Sequence, residues 1–303
     1  MAKAATRKGA PSTGRKSPST VRSSSQRGPI AVAVSILVVA AILVTFLLVK
    51  LNSSSSSRVT GERPVPPAVL TAIENVPTGA LNTVGYSSSK IPPLVSLSGQ
   101  PSLRLSGKPE ILYIGGEFCP FCAAERWPTI VALSKFGHFS NLHLMTSSAT
   151  DIAPNTPTFS FYRSTYTSPY VAFVPVEWAT NKPTSSSHNF SGYSILQPPT
   201  KSQMALFSKY DASPYTTQAG SIPFLDFGNR FLQIGASYQP QILDNESWAT
   251  IAGSLSLPQS QTAQAIDASA NLEIAGICVM THNKPANVCS TPTITKIETT
   301  LGS

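Results

Sequence analysis

Charge and histidine are scarce in this chain. Of its 303 residues only 12% are Asp, Glu, Lys or Arg, and four are histidine. Those four, His138, His143, His188 and His282, are scattered and no two stand four apart, so the helical pairing common in histidine metal centres is missing. No Gly-x-Ser-x-Gly occurs; a Ser-His-Asp set would have to be assembled from scattered residues without a nucleophile elbow. Acid is absent before residue 29, where seven bases lie. The remainder holds 15 basic and 14 acidic residues. The pI near 9.4 therefore belongs to the tail, and the near neutrality of the body makes nucleic-acid binding a poor reading. Cysteine is limited to four residues.

One stretch is entirely without charge. Ile30 to Val49 is twenty apolar or small residues, and a helix of that length spans about 30 Å, the thickness of a hydrocarbon core. It is longer than a signal-peptide core, and no Ala-x-Ala site follows. Most of the flanking positive charge is N-terminal, which predicts a cytoplasmic N-terminus and an extracytoplasmic remainder in the cell membrane. The expected organisation is a disordered basic tail (1–28), a single-pass transmembrane helix (29–50), a flexible linker (51–66) and one extracytoplasmic domain (67–303). In such a compartment four cysteines suit disulfides, and the spacings favour the pairs Cys119–Cys122 and Cys278–Cys289.

The chemistry centres on "GGEFCPFCAAERWP", Gly115 to Pro128. The apolar run "PEILYIGG" before it reads as a buried strand. Ala123, Trp127, Ile130 and Val131 after it form a helical stripe. That helix is expected to end near "KFGHF" with Gly137 as its C′ residue, and Pro128 inside it must bend it or cost a hydrogen bond. "NLHLMT" (141–146) reads as a second strand, parallel to the first. Residues 151–199 are taken as an insertion, with strands at "TFSFYRS" and "SPYVAFVPVEWA" and a loop at "SSSHNFSGYS". The Tyr and Phe side chains of 159–178 are expected to pack a sheet rather than line a ligand site, with a peptide-docking face as the alternative. A helix at 201–210, a hairpin at 221–238 turning at Gly228-Asn229, and helices at 247–257 and 260–278 complete an α/β order.

This pattern places Cys119 at a helix N-terminus, where free N–H groups and the helix dipole favour a thiolate. Cys122, one turn on, is placed to resolve a mixed disulfide, and Pro120 suits the first helical position. Three other readings stand beside this one: a zinc site borrowing Cys278, His282 and Cys289 at irregular spacing, a structural disulfide, and an inert domain. Glu117 is either a proton relay for the resolving thiol or a solvated strand-end residue. Glu125 and Arg126 read as helix surface. Cys278 and Cys289 enclose ten residues; as a disulfide they stabilise by about 2–3 kcal/mol, with a second redox pair as the sharper alternative. Asn189 and Asn245 open weak glycosylation sequons.

The strand–CPFC–helix unit, with the later hairpin "SIPFLDFGNRFLQIGA", resembles the thioredoxin superfamily. That resemblance implies a central sheet flanked by helices and a cis-proline facing the cysteines; the matching residue is Pro223, after Ile222. A closer resemblance, over most of residues 67–290, is to the domain-of-unknown-function family 929, through "TFSFYRSTYTSPYVAFVPVEW", "IPFLDFGNRFLQIGASYQP" and "ANLEIAGICVMTHNKPANVC". It implies membrane-anchored thioredoxin-like proteins without naming a substrate. One departure is Pro128, six residues after the second cysteine where many thioredoxins have five. The expected function is thiol–disulfide exchange on cysteines of secreted or envelope proteins, with Cys119, Cys122 and Pro223 at the site. No cofactor, metal or nucleic acid is called for, and the redox partner is unspecified. The alternative is a non-catalytic scaffold whose disulfides are staples. Oxidase, reductase and isomerase roles all stay open.

Overall fold

The computed structural model describes residues 63–302. The basic tail, the apolar run expected to cross a membrane and most of the linker lie outside the described residues. Among the described residues no helix is long and apolar enough to cross a membrane. In chain order come strand β1 (Arg63–Pro64), helices α1 (Pro67–Glu74) and α2 (Thr78–Val84), strands β2 (Val95–Ser96), β3 (Arg104–Leu105) and β4 (Lys108–Gly115), and helix α3 (Pro120–Leu133). Strands β5 (His138–Ser140), β6 (His143–Thr146), β7 (Pro157–Ser160), β8 (Thr165–Thr167), β9 (Ala172–Glu177), β10 (Ala179–Pro183), β11 (Asn189–Phe190) and β12 (Tyr193–Ile195) follow. Helix α4 (Lys201–Tyr210), strands β13 (Phe224–Phe227) and β14 (Phe231–Ile234), and helices α5 (Trp248–Ser254), α6 (Gln261–Met280), α7 (Ala286–Cys289) and α8 (Pro292–Thr300) close the chain. The protein is mixed α/β with several sheets.

The central sheet runs β2-β14-β13-β4-β3, and β9 lies parallel against β4. Strand β4 is apolar and buried from Ile111 onward, as a strand covered on both faces must be. Its alternation divides the core. Ile111 and Tyr113 join the cluster built with α3 and α6. Leu112 and Ile114 join the one that holds Phe207 and Tyr210 of α4. The sheet thus has helices on both faces, which follows from the two-residue side-chain period of a strand.

Several expectations hold. The hairpin β13–β14 turns where Gly228 (φ 65°) and Asn229 (φ 59°) supply the left-handed backbone that a tight hairpin needs. Helix α4 matches its predicted span and begins with a capping box at Thr200 and Gln203. The stripe Ala123, Trp127, Ile130 and Val131 is wholly buried. Phe159 and Phe161 pack edge-on against Trp127 and Phe173 respectively, and with Tyr166 and Tyr170 they belong to the core.

Other expectations are corrected. The parallel partner of β4 is β9, whose six residues pair from Glu110↔Ala172 to Gly115↔Glu177. Strand β6 instead pairs antiparallel with β1 and β7 in a separate sheet. With four residues it is too short to match β4, whereas Ala172–Glu177 supplies the length and apolar run of a central neighbour. Residues 172–177, read as part of an insertion, are therefore a strand of the central sheet. The linker also ends earlier than Pro67: Arg63 and Pro64 pair with Leu144 and His143, and Val65 is buried, with proline tolerated on that edge strand. Helix α3 stops at Leu133, and Gly137 is not its C′ residue. Gly137 is needed because β8 crosses close to it; a Cβ there would collide with the Thr167 carbonyl and lie 2.7 Å from the Ser168 Cβ.

Candidate functional site

The site begins where β4 gives way to α3. Cys119 is the N-cap residue, with extended backbone (φ −75°, ψ 122°), and Pro120 opens the helix. The Cys119 N–H donates to the Gly116 carbonyl at 3.2 Å. Its Sγ accepts the Cys122 N–H at 3.3 Å, the place a Ser or Asp oxygen takes in an ordinary N-cap. The same Sγ lies 3.8 Å from the Ile222 carbonyl oxygen, and the Ile222–Pro223 bond is cis. The cysteines and Pro223, about a hundred residues apart in sequence, are thus brought together.

The two thiols are not equivalent. Cys119 is 6% exposed and Cys122 is fully buried. Both are free thiols in this structure, and the Cys122 N–H bonds the Cys119 sulfur. The hydrogen bond from the Cys122 side chain lowers the Cys119 thiol against the opposing effect of burial, helped by the Cys122 N–H and the charge of Arg126. Burial pushes the Cys122 thiol well up, and its contact with Cys119 adds to that rise. Cys278 and Cys289, in contrast, are joined by a disulfide. Their sulfurs are committed to each other, which removes them as zinc ligands.

Glu117 is buried, with its N–H on the Ala179 carbonyl (2.9 Å) and its Oε1 accepting from the Ser160 hydroxyl (2.6 Å). It is not a solvated strand end. Glu125 and Arg126 are also fully buried, contrary to their expected surface position, because α3 is enclosed on every side. Arg126 donates from Nε and Nη2 to the two oxygens of Glu177 (2.9 and 2.6 Å) and from Nη2 to the Gly116 carbonyl (2.9 Å). Pro128 leaves the Ala124 carbonyl without its helical donor, and the Tyr238 hydroxyl donates to that oxygen at 2.7 Å.

Sequence reasoning missed two further features. The expected loop 185–194 contains the hairpin β11–β12, which with β10 forms a small sheet beside the cysteines. Tyr193 stacks on Phe118 (4.2 Å between centroids), Phe190 stacks on Trp178 (4.0 Å), and the Tyr193 hydroxyl meets Ser148 at 2.8 Å. Phe118, Phe121, Phe190, Tyr193 and Ile222 make the surroundings of Cys119 apolar.

The second missed feature lies behind α3. Glu125 accepts the Ser237 N–H (2.7 Å) and hydroxyl (3.2 Å), and Glu273 accepts the Thr129 hydroxyl at 3.1 Å. Burial raises both carboxyls, Glu273 the further, and the two carboxyls bear on each other, as neighbouring acids in a dry site do. Asp267 on the same helix is pushed up to about 8 by burial, with Lys135 opposing. The signal was present as two lone acids in the apolar run "AIDASANLEIAGIC". In the unfolded chain these acids ionise near 4. The stability they contribute is therefore complete below about pH 4 and falls as pH rises towards 8. Asp267→Asn is expected to raise the unfolding free energy at pH 8 by about 1–3 kcal/mol and leave it nearly unchanged at pH 4. Urea titrations at both pH values test this; an equal effect at each would show that the carboxyl is ionised throughout.

The family described as "Domain of unknown function (DUF929)" matches residues 94–279, more than half of the chain. No curated protein and no solved structure matches it.

Proposed function

We propose that this chain, which belongs to the DUF929 family, is a thiol–disulfide oxidoreductase of thioredoxin-like fold that uses Cys119 and Cys122. The supporting observation is the asymmetry of two thiols one helical turn apart: the Cys119 thiol is lowered at a helix N-terminus, and the Cys122 thiol is raised in a sealed interior. An attacking thiol needs thiolate character, and a resolving thiol does not need it until the mixed disulfide has formed.

The Cys119 thiolate attacks one sulfur of a substrate disulfide. That S–S bond breaks, the departing substrate thiolate takes a proton, and a mixed disulfide remains. Cys122 then gives up its proton, with Glu117 as a candidate relay, and its thiolate attacks the Cys119 sulfur. The second substrate thiolate leaves. The substrate gains two electrons and the pair loses two; run in reverse, a substrate dithiol is oxidised. The backbone at Ile222, before cis-Pro223, is where an extended substrate segment would pair.

The apolar run 30–49 would hold the domain at the outer face of the cell membrane, with residues 1–28 in the cytoplasm. The Cys278–Cys289 disulfide suits an oxidising compartment, and secreted or envelope proteins are the substrates available there. The competing reading is a non-catalytic binding domain, favoured by the burial of both thiols.

The reduction potential of the pair in the full chain separates the two. Thiol trapping across a glutathione series is expected to give a reversible couple above about −270 mV, and above about −250 mV for an oxidant or isomerase. A pair that stays oxidised below about −300 mV would be structural, and the binding-domain reading would replace this one.

A further inference from the structure

We propose that Arg126, clasped between Glu177 and the Gly116 carbonyl, sets the reduction potential of the Cys119–Cys122 pair; the proposal rests on the exchange reading above. Arg126 stands four residues after Cys122 on α3, hence on the same helix face one turn on. Helical side chains lean towards the N-terminus, and Arg126 does so far enough to reach Gly116, ahead of both cysteines. The Gly116 oxygen also receives the Cys119 N–H. One guanidinium nitrogen therefore shares its acceptor with the nucleophile's own backbone.

The guanidinium is fully buried, and its Nη1 has no hydrogen-bond partner among the described residues. A buried cation with an unused donor is costly, and Glu177 alone cannot explain why it sits under this motif. The new anion that the chemistry creates is a thiolate. A fixed positive charge in a dry site stabilises that anion far more than it would in water. Of the charged or titratable groups around the pair (Arg126 on α3, Tyr113 on β4, Glu177 on β9, Tyr193 on β12 and Glu117 in the turn), only Arg126 carries positive charge. Its field lowers both thiols. Stabilising a thiolate stabilises the reduced pair and makes the couple more oxidising. Arg126 is a positioning residue: it acts through its charge and through Gly116, not by contact with substrate.

The test compares two variants of the full chain. Glu177→Gln keeps the shape of the clasp but leaves the guanidinium less neutralised. The double variant Arg126→Met/Glu177→Met removes both charges and leaves no buried ion alone. Two quantities are read for each: the pH dependence of Cys119 alkylation, and the equilibrium with glutathione. Glu177→Gln is expected to shift alkylation to lower pH and move the equilibrium about tenfold towards the dithiol, about +30 mV. The double variant is expected to move both the opposite way by a similar factor. Should Glu177→Gln unfold, the double variant carries the test. Shifts of the same sign, or below twofold, would overturn the role of Arg126, since a structural clasp would change stability without reversing the direction of the potential. A wild-type Cys119 that alkylates only above about pH 8.5, with no reversible couple, would instead defeat the exchange reading itself.

Discussion

Cys119→Ser is expected to abolish thiol–disulfide exchange, with a loss of at least about a thousandfold, because a serine hydroxyl neither ionises near neutral pH nor forms a disulfide. Cys122→Ser should behave differently. Cys119 keeps its N-cap position and the Cys122 N–H bond, which is a backbone contact, and a serine hydroxyl can donate to its sulfur in place of the Cys122 thiol that lowers it. Its attack is expected to survive while resolution stops. Mixed disulfides with substrate should then accumulate and be visible as adducts on a non-reducing gel. Adducts on Cys122 in the Cys119→Ser chain, at a rate equal to the wild type, would reverse the assignment. Such a result is not expected: Cys122 is sealed and its thiol is held protonated by burial. Exchange that persists in both single variants would place the chemistry elsewhere.

What the sequence made legible is local. The strand–CPFC–helix unit could be read because an apolar run, an N-cap position and a proline at the first helical residue lie within a dozen residues of one another. The hairpin was legible because Gly228-Asn229 supplies left-handed backbone at one point. Pairing over long distances was not legible. Strand β9 follows β4 by more than fifty residues, and nothing in its composition distinguishes it from β6 as a partner for β4 except length. The small sheet around Cys119 was hidden for a similar reason: its strands are two to five residues long and sit in a Ser-rich segment that reads as loop. Charge was misread more systematically. A helical stripe shows which face is apolar, and it suggests that the charged face is wet. Helix α3 has no wet face, because α6, β7 and the central sheet enclose it. Glu125 and Arg126 therefore had to find partners inside, and those partners, Ser237 and Glu177, lie on segments that the sequence does not connect to them.

The enclosure of Arg126 leads to the largest expected effect on stability. Glu177→Ala is expected to lower the unfolding free energy by about 3–5 kcal/mol, the usual cost of leaving one member of a buried ion pair alone. Burial is the largest single effect on Arg126 and works against its charge; Glu177, Tyr113 and Cys122 together outweigh it. Two of the guanidinium contacts are with Glu177. The Phe161 N–H also donates to Glu177 (3.2 Å) and would lose its acceptor, adding an unpaired backbone group. The double change to methionine should cost far less, since both ions leave together and apolar volume replaces them. Denaturant titration of the wild type and the two variants measures the difference. A loss below about 1 kcal/mol for Glu177→Ala would mean that water reaches the guanidinium, and a charge that water reaches is too well screened to set a potential beneath Cys119. A large loss in the single variant that disappears in the double variant would show a charge held in the interior against its own desolvation, where the thiolate is the nearest anion the chemistry can supply.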